Sequence, residues 1–115
     1  MLVDDSEEFL ASAGRLLDGQ GIEIVGYATS GQEALELTVE LEPDVALVDI
    51  ELGEEDGIAL AEELGVRFPS TVVILISSYD RDDLAELLAR SPAVGFLPKT
   101  ALSAEAIAAF VVSEP

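Results

Sequence analysis

The chain has 115 residues, half of them hydrophobic, with no cysteine, no histidine and a formal net charge of −19. This length fits one domain (residues 1–115), and the apolar content is enough for a packed core. The missing residue types exclude disulfides, thiolate metal sites and imidazole acid–base chemistry. The excess of acidic residues disfavours direct binding of nucleic acid or of an anionic membrane surface by this segment.

The sequence shows neither a membrane-spanning nor a secretory pattern. No apolar run approaches the roughly 20 residues that a membrane-spanning helix needs. No positively charged segment precedes an apolar stretch in the way of a secretory signal. We therefore expect a cytoplasmic protein without membrane association.

Strand and helix patterns alternate along the chain. Five short runs rich in Val and Ile predict β-strands at residues 1–3, 22–27, 45–48, 72–76 and 94–97. Helical periodicity with start and stop signals predicts helices at about residues 6–17, 30–42, 58–67, 81–90 and 104–112. This (βα)5 alternation predicts an α/β fold, a doubly wound five-stranded parallel sheet with helices on both faces.

Local signals support the helix boundaries. The predicted N-caps are Ser6, Ser30, Asp80 and Ser103, and Ser30 with Glu33 reads as a capping box. The acidic run at residues 54–56 is interpreted as a solvated loop.

Four of the five predicted strands are followed by charged or hydroxyl side chains. These are Asp4 and Asp5 after the first strand, Asp49 after the third, Ser77 and Ser78 after the fourth, and Lys99 after the fifth. In an open parallel sheet, ligands bind outside the carboxyl ends of the strands. We therefore expect these side chains to meet in one crevice.

The chemistry of this set points to phosphoryl transfer. Clustered carboxylates at Asp4, Asp5 and Asp49 are costly unless a cation neutralises them, and oxygen ligands select Mg²⁺ or Mn²⁺. Lys99 offers a point charge for a phosphate and Ser77 a hydroxyl donor. Without histidine or cysteine, the expected nucleophile is a carboxylate and the product an aspartyl phosphate.

Each of these residues also has an ordinary explanation. Paired acids such as Asp4 and Asp5 commonly mark a helix start, Asp49 could cap a loop, and a single lysine is usually a surface residue. Their joint placement at four strand ends is what favours a site.

Four sequence segments combine into a specific pattern. They are Val3-Asp4-Asp5-Ser6, Val48-Asp49-Ile50 with Asp56-Gly57 downstream, Ile74 to Ser78, and Gly95-Phe96-Leu97-Pro98-Lys99. Over nearly its whole length the chain resembles the receiver domain of bacterial two-component response regulators. The resemblance implies a flavodoxin-like sheet with the strand order 2-1-3-4-5.

The resemblance also implies roles at the acidic site. Asp49 would accept a phosphoryl group from a sensor histidine kinase. Asp5 would bind Mg²⁺ directly and Asp4 mainly through water, with the backbone carbonyl of Glu51 completing the protein ligands beside Asp49. The chain would then be a signalling domain rather than an enzyme acting on another substrate.

Further implied roles concern the output. Ser77 and Lys99 would contact the phosphoryl oxygens, and Phe96 would rotate inward as Ser77 moves, although an aromatic residue in a strand is more often a core residue. The surface of the fourth helix, fifth strand and fifth helix would then change and meet partners or a second copy. Glu51 and Tyr79 flank the site and would tune water access and dephosphorylation.

The sequence departs from the family pattern at three places. Thr100 follows Lys99 where many members have proline, a form similar to receivers that precede a helix-turn-helix output domain, and Gly53 stands where proline is usual. The first strand is shorter than the family norm, which suggests a trimmed or misassigned start. No output domain follows within the sequence, so a DNA-binding output would require chain beyond Pro115.

The sequence also bears on other functions. A receiver-like interaction module that works without phosphorylation is the main alternative. An aspartate-nucleophile phosphatase would carry Asp-x-Asp, which Asp4-Asp5 does not match, and a cap insertion for which the chain has little room. The glycine-rich motifs of nucleotide-binding proteins are missing.

Overall fold

The computed structural model describes residues 1–78 and 95–111. In chain order the elements are β1 (Leu2–Val3), α1 (Glu7–Gly19), β2 (Tyr27–Ala28), α2 (Gly31–Leu41), β3 (Val45–Asp49), β4 (Glu51–Leu52), β5 (Glu55–Asp56), α3 (Gly57–Arg67), β6 (Val72–Ser77), β7 (Gly95–Pro98), a 3₁₀ turn (Lys99–Ala101) and the last helix (Ala104–Val111). The predicted helix at 81–90, its cap Asp80 and Tyr79 lie outside the described residues.

Five strands form one parallel sheet in the order β2-β1-β3-β6-β7. Counting only these strands, this is the predicted order 2-1-3-4-5, so the fold class is confirmed. The two central strands, β3 and β6, pair from Val45↔Val72 to Asp49↔Ile76. They are almost wholly buried, as expected for Val- and Ile-rich strands that helices cover on both sides.

The second strand is much shorter than predicted. The apolar run at 22–27 forms a strand only at its end, in β2, where Tyr27 pairs with Leu2 and Ala28 with Val3. This strand lies at the edge of the sheet, so β1 is its only neighbour among the described strands. The pairing with β1 covers only Tyr27 and Ala28, so Ile24 and Val25 lie outside the paired part of the run.

The helix starts follow the predicted caps. Ser6 accepts the N–H of Phe9 at 3.2 Å, and Ser30 accepts that of Glu33 at 3.2 Å. The capping box differs in one detail, because the Glu33 carboxylate accepts from Thr29 at 2.8 Å. Ser103 accepts the N–H of Ala106 at 3.0 Å at the start of the last helix.

Alternate strand residues divide the core into two clusters on opposite faces of the sheet. Val48 and Leu75 pack in one cluster with side chains from α2 and α3. Leu47 and Ile74 pack in the other with side chains from α1 and the last helix. Helices therefore cover both faces, as predicted. None of the helices within the described ranges has the length and apolar character that crossing a bilayer requires.

The acidic run at 54–56 is more ordered than the predicted solvated loop. Glu55 and Asp56 form β5, which pairs antiparallel with β4, and both side chains also make specific contacts. Asp56 caps α3 by accepting the N–H groups of Ile58 and Ala59. Glu55 accepts the N–H of Gly31 at 3.0 Å, at the start of α2. This run therefore fixes the connection that follows β3.

Candidate functional site

Three carboxylates meet at the carboxyl edge of the sheet. Asp4 and Asp5 follow β1, and Asp49 ends β3, which lies beside β1. One carboxylate oxygen from each of the three lies within 4.8 Å of the others. Asp4 and Asp49 are buried whereas Asp5 is exposed. The predicted acidic cluster is therefore present, and it opens to solvent on the Asp5 side.

Lys99 brings a positive charge into this cluster from the end of β7. Its Nζ atom lies 2.6 Å from Asp4 Oδ2 and 3.3 Å from Asp49 Oδ2. The side chain is only 19% exposed, so these ion pairs are poorly screened by water. One ammonium thus partly neutralises the two buried carboxylates.

Backbone N–H groups orient the two buried carboxylates. Asp4 Oδ1 accepts the N–H of Ser6 at 2.8 Å, and Asp49 Oδ1 accepts the N–H of Glu51 at 3.1 Å. In both residues the other oxygen, Oδ2, therefore faces Lys99. This arrangement fixes which carboxylate oxygens are directed at the centre of the site.

The charges in the site shift the protonation equilibria. The pKa of Asp49 is raised to about 6, first by burial and then by the Asp4 carboxylate, and Lys99 offsets this only in part. Burial lowers the pKa of Lys99, but its contacts with Asp4 and Asp49 outweigh burial and the net pKa lies above the ordinary value. Lys99 therefore stays protonated, while negative charge on Asp49 is held at a cost.

Ser77 ends β6 beside this cluster and is buried. A cavity of about 200 Å³ lies over the strand ends, and its lining contains every predicted site residue at the four strand ends: Asp4, Asp5, Asp49, Ser77, Ser78 and Lys99, with Ser6, Glu51 and Gly53. A cavity of this volume fits a phosphoryl group and a few water molecules. The expectation that these side chains meet in one crevice agrees with this geometry.

Two glycines shape the backbone around Asp49. A Cβ atom at Gly57 would overlap the carbonyl oxygen of Asp49, so the start of α3 packs directly on the backbone of the site. Gly53 has a φ of +64°, which favours glycine, and a side chain there would approach Asp5 Oδ2. The absence of a side chain at Gly57 therefore serves contact with the protein's own backbone.

Sequence reasoning missed the contact between Phe9 and Lys99. The Lys99 ammonium lies 4.2 Å from the centre of the Phe9 ring. No local sequence signal pairs these two residues, since they are far apart in the chain and Phe9 reads as part of the apolar face of α1. The capping role of Asp56 was also missed, although an acid directly before the α3 periodicity is a usual N-cap signal.

The remaining predicted residues have mixed positions. Glu51 is exposed at the rim of the cavity. Phe96 is partly buried in β7, beside Leu75 of β6, and packs on the cluster that contains α2 and α3. Tyr79 lies outside the described residues.

The fold and the site together define a class of protein. A parallel sheet in this order, with clustered carboxylates, a lysine and a hydroxyl at its carboxyl edge, is typical of a flavodoxin-like signalling domain. Residues 1–111 match the family model of the response regulator receiver domain. The chain belongs to this family, the receiver domains of two-component response regulators.

Individual relatives agree with this assignment. The chain is 33% identical to the transcriptional regulatory protein LiaR of Bacillus subtilis, over 91% of this chain and 50% of that protein. It is 30% identical to the NarL signal receiver domain of Mycobacterium tuberculosis, with a TM-score of 0.84 over 98% of this chain and 94% of that one. The chain spans about half the length of several curated relatives, which are regulatory proteins.

A third relative contains bound groups. A response regulator of Burkholderia pseudomallei has a structure with a phosphorylated aspartic acid and a calcium ion. It is 28% identical to this chain, with a TM-score of 0.78 over 94% of this chain and 62% of that one.

Proposed function

We propose that this chain is a phosphorylation-dependent switch in which Asp49 accepts a phosphoryl group from a sensor histidine kinase. The observation that carries the proposal is the Lys99 ammonium at 2.6 and 3.3 Å from the buried carboxylates of Asp4 and Asp49. A structural lysine needs no such crowding of acids, whereas transfer of a phosphoryl group needs both a nucleophile and a counter-charge. The phosphorylated aspartic acid in the Burkholderia relative supports the same chemistry.

The transfer step uses few protein groups. A carboxylate oxygen of Asp49 forms a bond to phosphorus, and the bond from phosphorus to the donor's histidine nitrogen breaks. That nitrogen keeps the electron pair and remains on the kinase. Lys99 neutralises charge on the phosphoryl oxygens, and the Ser77 hydroxyl donates to one of them once the acceptor is loaded.

The carboxylate oxygens fit a divalent cation. Asp4, Asp5 and Asp49 offer hard oxygen ligands within 4.8 Å of one another, the donor set that Mg²⁺ or Mn²⁺ prefers. The backbone carbonyl of Glu51 is the further proposed ligand. The bound ion would neutralise the carboxylates and the phosphoryl oxygens, and so lower the electrostatic cost of charge on Asp49.

The output would follow from Ser77 and Phe96. Phosphorylation of Asp49 would favour one of two states in which Ser77 lies closer to the phosphate and Phe96 turns inward. The surface that changes would include the segment at 81–90, β7 and the last helix, and a second copy or another partner would bind there. The LiaR relative is a transcriptional regulatory protein, which supports the proposal that the whole protein has a DNA-binding output. We expect such a switch to act in the cytoplasm.

The phosphate lifetime should depend on residues at the rim. Glu51 lies at the cavity opening, and Tyr79 is close to Ser77 in the sequence. We expect Glu51→Ala and Tyr79→Ala to change the dephosphorylation rate by altering water access. Equal phosphate lifetimes in both variants and the wild type would contradict this role.

Intact-mass spectrometry after incubation with acetyl phosphate and Mg²⁺ tests the proposal. We expect the wild type to gain one phosphoryl group, Asp49→Asn to gain none, and EDTA to abolish the gain. Asp18→Asn, which changes an exposed acid at the end of α1, is the matched control and should behave as the wild type. A folded wild-type protein that binds Mg²⁺ but gains no mass would favour the interaction module that works without phosphorylation.

A further inference from the structure

Lys99 is the only lysine of the chain, and three groups hold its ammonium. Two are the Asp4 and Asp49 carboxylates. The third is the face of the Phe9 ring, whose centre lies 4.2 Å from Nζ. An ammonium at this distance from an aromatic face is attracted by the ring's quadrupole, most strongly where water is excluded.

The first turn of α1 fixes the Phe9 ring. The Phe9 N–H donates to Ser6 Oγ at 3.2 Å, and the Ser6 N–H donates to Asp4 Oδ1 at 2.8 Å. The ring also packs against the core cluster that contains α1 and the last helix. One short segment therefore orients both an acid of the site and the aromatic face beside the lysine.

The three contacts of Lys99 differ in what a ligand does to them. A divalent cation would compete for the Asp4 and Asp49 oxygens, and a phosphoryl group would bond to one Asp49 oxygen and remove the charge of that carboxylate. The Phe9 ring binds neither an ion of this kind nor a phosphate. It is the contact that can persist while the two carboxylates change partners.

We propose that Phe9 is a positioning residue that holds the Lys99 ammonium in the lining of the cavity while the carboxylates bind a cation. The ammonium then remains in position for the incoming phosphoryl group, and the flexible lysine side chain does not swing out toward solvent. This role rests on the proposed phosphoacceptor function, whereas the Phe9–Lys99 contact can be tested separately from it.

The contact is tested by NMR on protein labelled only at lysine. Because the chain has one lysine, the spectrum contains one set of lysine side-chain signals. We expect the ε-methylene protons to be displaced upfield by the ring in Mg²⁺-saturated wild type, and likewise in Phe9→Tyr. The displacement should be lost in Phe9→Leu, which keeps an apolar side chain but has no aromatic face.

Phe68→Leu is the matched control for lost aromatic packing. Phe68 caps α3 and lies beside Arg67, with 5.5 Å from the guanidinium to the ring centre, and it does not line the cavity at the site. Its substitution should leave the lysine signals unchanged. An ordinary lysine shift in Mg²⁺-saturated wild type, or an upfield shift that survives in Phe9→Leu, would overturn the proposal.

Phosphorylation kinetics with acetyl phosphate test the consequence. We expect Phe9→Leu to lower the maximal rate by about 2- to 30-fold, the range that corresponds to one cation–π contact. Phe9→Tyr and Phe68→Leu should stay near the wild-type rate. The Mg²⁺ concentration for half-maximal rate should be unchanged in Phe9→Leu, because the carboxylates are intact.

The outcomes separate the two proposals. A wild type that is never phosphorylated overturns the phosphoacceptor function and with it the role of Phe9. A phosphorylated wild type with an equally fast Phe9→Leu variant overturns the role of Phe9 alone. A Phe9→Leu variant that is slow only because it needs more Mg²⁺ shows a general distortion of the site, which also overturns positioning.

Discussion

The cavities at the two ends of the strands differ in volume and in the chemistry of their lining. At the carboxyl edge, a cavity of about 200 Å³ lies over buried Asp4, Asp49 and Ser77 beside Lys99. At the amino edge, a cavity of about 690 Å³ is bounded mainly by apolar side chains, with Met1, Ile24, Val25 and Val45 in its lining. The larger cavity is not the one that the site carboxylates, Ser77 and Lys99 line. Function in this fold is marked by the density of charged groups at strand ends rather than by volume.

Both ends also hold buried ionisable groups, and their surroundings differ. At the carboxyl edge, Lys99 and backbone N–H groups partner the carboxylates. At the amino edge, the Met1 ammonium donates to the Val45 carbonyl at 2.9 Å, and its pKa is lowered to about 6 because burial outweighs the attraction of Asp44. Ion pairs keep Lys99 charged at the carboxyl edge, whereas burial works against the charge of Asp49 there and of Met1 at the amino edge.

The largest expected effect on stability comes from a substitution that disrupts the packing beneath the carboxyl edge. Gly57→Ala places a methyl group onto the Asp49 carbonyl oxygen, and we expect the free energy of unfolding to fall by about 2–3 kcal/mol. Urea denaturation followed by circular dichroism measures this change. Alanine is the better helix former, so helix propensity alone predicts the opposite sign.

Gly19→Ala, at the end of α1, is the matched control for Gly57→Ala. Nothing lies within 4 Å of a Cβ atom at Gly19, and we expect a stabilisation of about 0.4–1 kcal/mol. A Gly57→Ala variant as stable as Gly19→Ala would show that α3 can move away from Asp49. The backbone of the site would then be less constrained than its geometry indicates.

The second prediction concerns the amino edge, through the Met1 ammonium. The unfolded chain keeps this proton up to about pH 8, whereas the folded chain loses it near pH 6. The unfolded state therefore binds more protons between these values, and the free energy of unfolding should rise by about 1–3 kcal/mol from pH 6 to pH 8. Acetylation of the amino group should remove this rise. Equal pH slopes for the free and acetylated proteins would contradict the burial of the charge.

The residues that carry the site were predictable because each obeys a local rule. Asp4, Asp49 and Ser77 come directly after apolar runs, Lys99 follows one after Pro98, and parallel strands bring their carboxyl ends to one edge. The sheet order came from resemblance, since no local pattern specifies which strands are neighbours. The sequence could therefore predict which residues meet, but it could not predict their distances or partners.

The features that the sequence did not predict have a common physical cause, because each depends on residues that are distant in the chain. The run at 22–27 has strand composition, but only Tyr27 and Ala28 find a partner in β1. Glu55 reads as a solvated acid until the start of α2 is placed beside it, where the Gly31 N–H donates to its carboxylate. Phe9 reads as a core residue until β7 brings Lys99 to its face.

The smallest expected effect on stability comes from removing the charge of Asp49 at the carboxyl edge, for comparison with the Met1 charge at the amino edge. The pKa of Asp49 is raised to about 6 in the folded chain from 3.8, so the folded state binds more protons between about pH 4 and pH 6. Its contribution to stability is present below pH 4 and is lost as pH rises through 6, the opposite sign to Met1. In EDTA, Asp49→Asn should therefore be more stable than the wild type by about 1–2 kcal/mol at neutral pH and equal to it near pH 4.

The effect of Mg²⁺ on stability tests whether the electrostatic cost of the Asp49 charge arises within the acidic cluster. Thermal melts at neutral pH should show that Mg²⁺ stabilises the wild type more than Asp49→Asn, because the variant has already lost one of the charges that the ion neutralises. Equal stabilisation of both proteins would mean that the ion binds away from Asp49. A variant less stable than the wild type in EDTA would mean that the ion pair with Lys99 outweighs the burial of Asp49. In that case the charge of Asp49 would not destabilise the folded protein, and a bound cation would have no such destabilisation to remove.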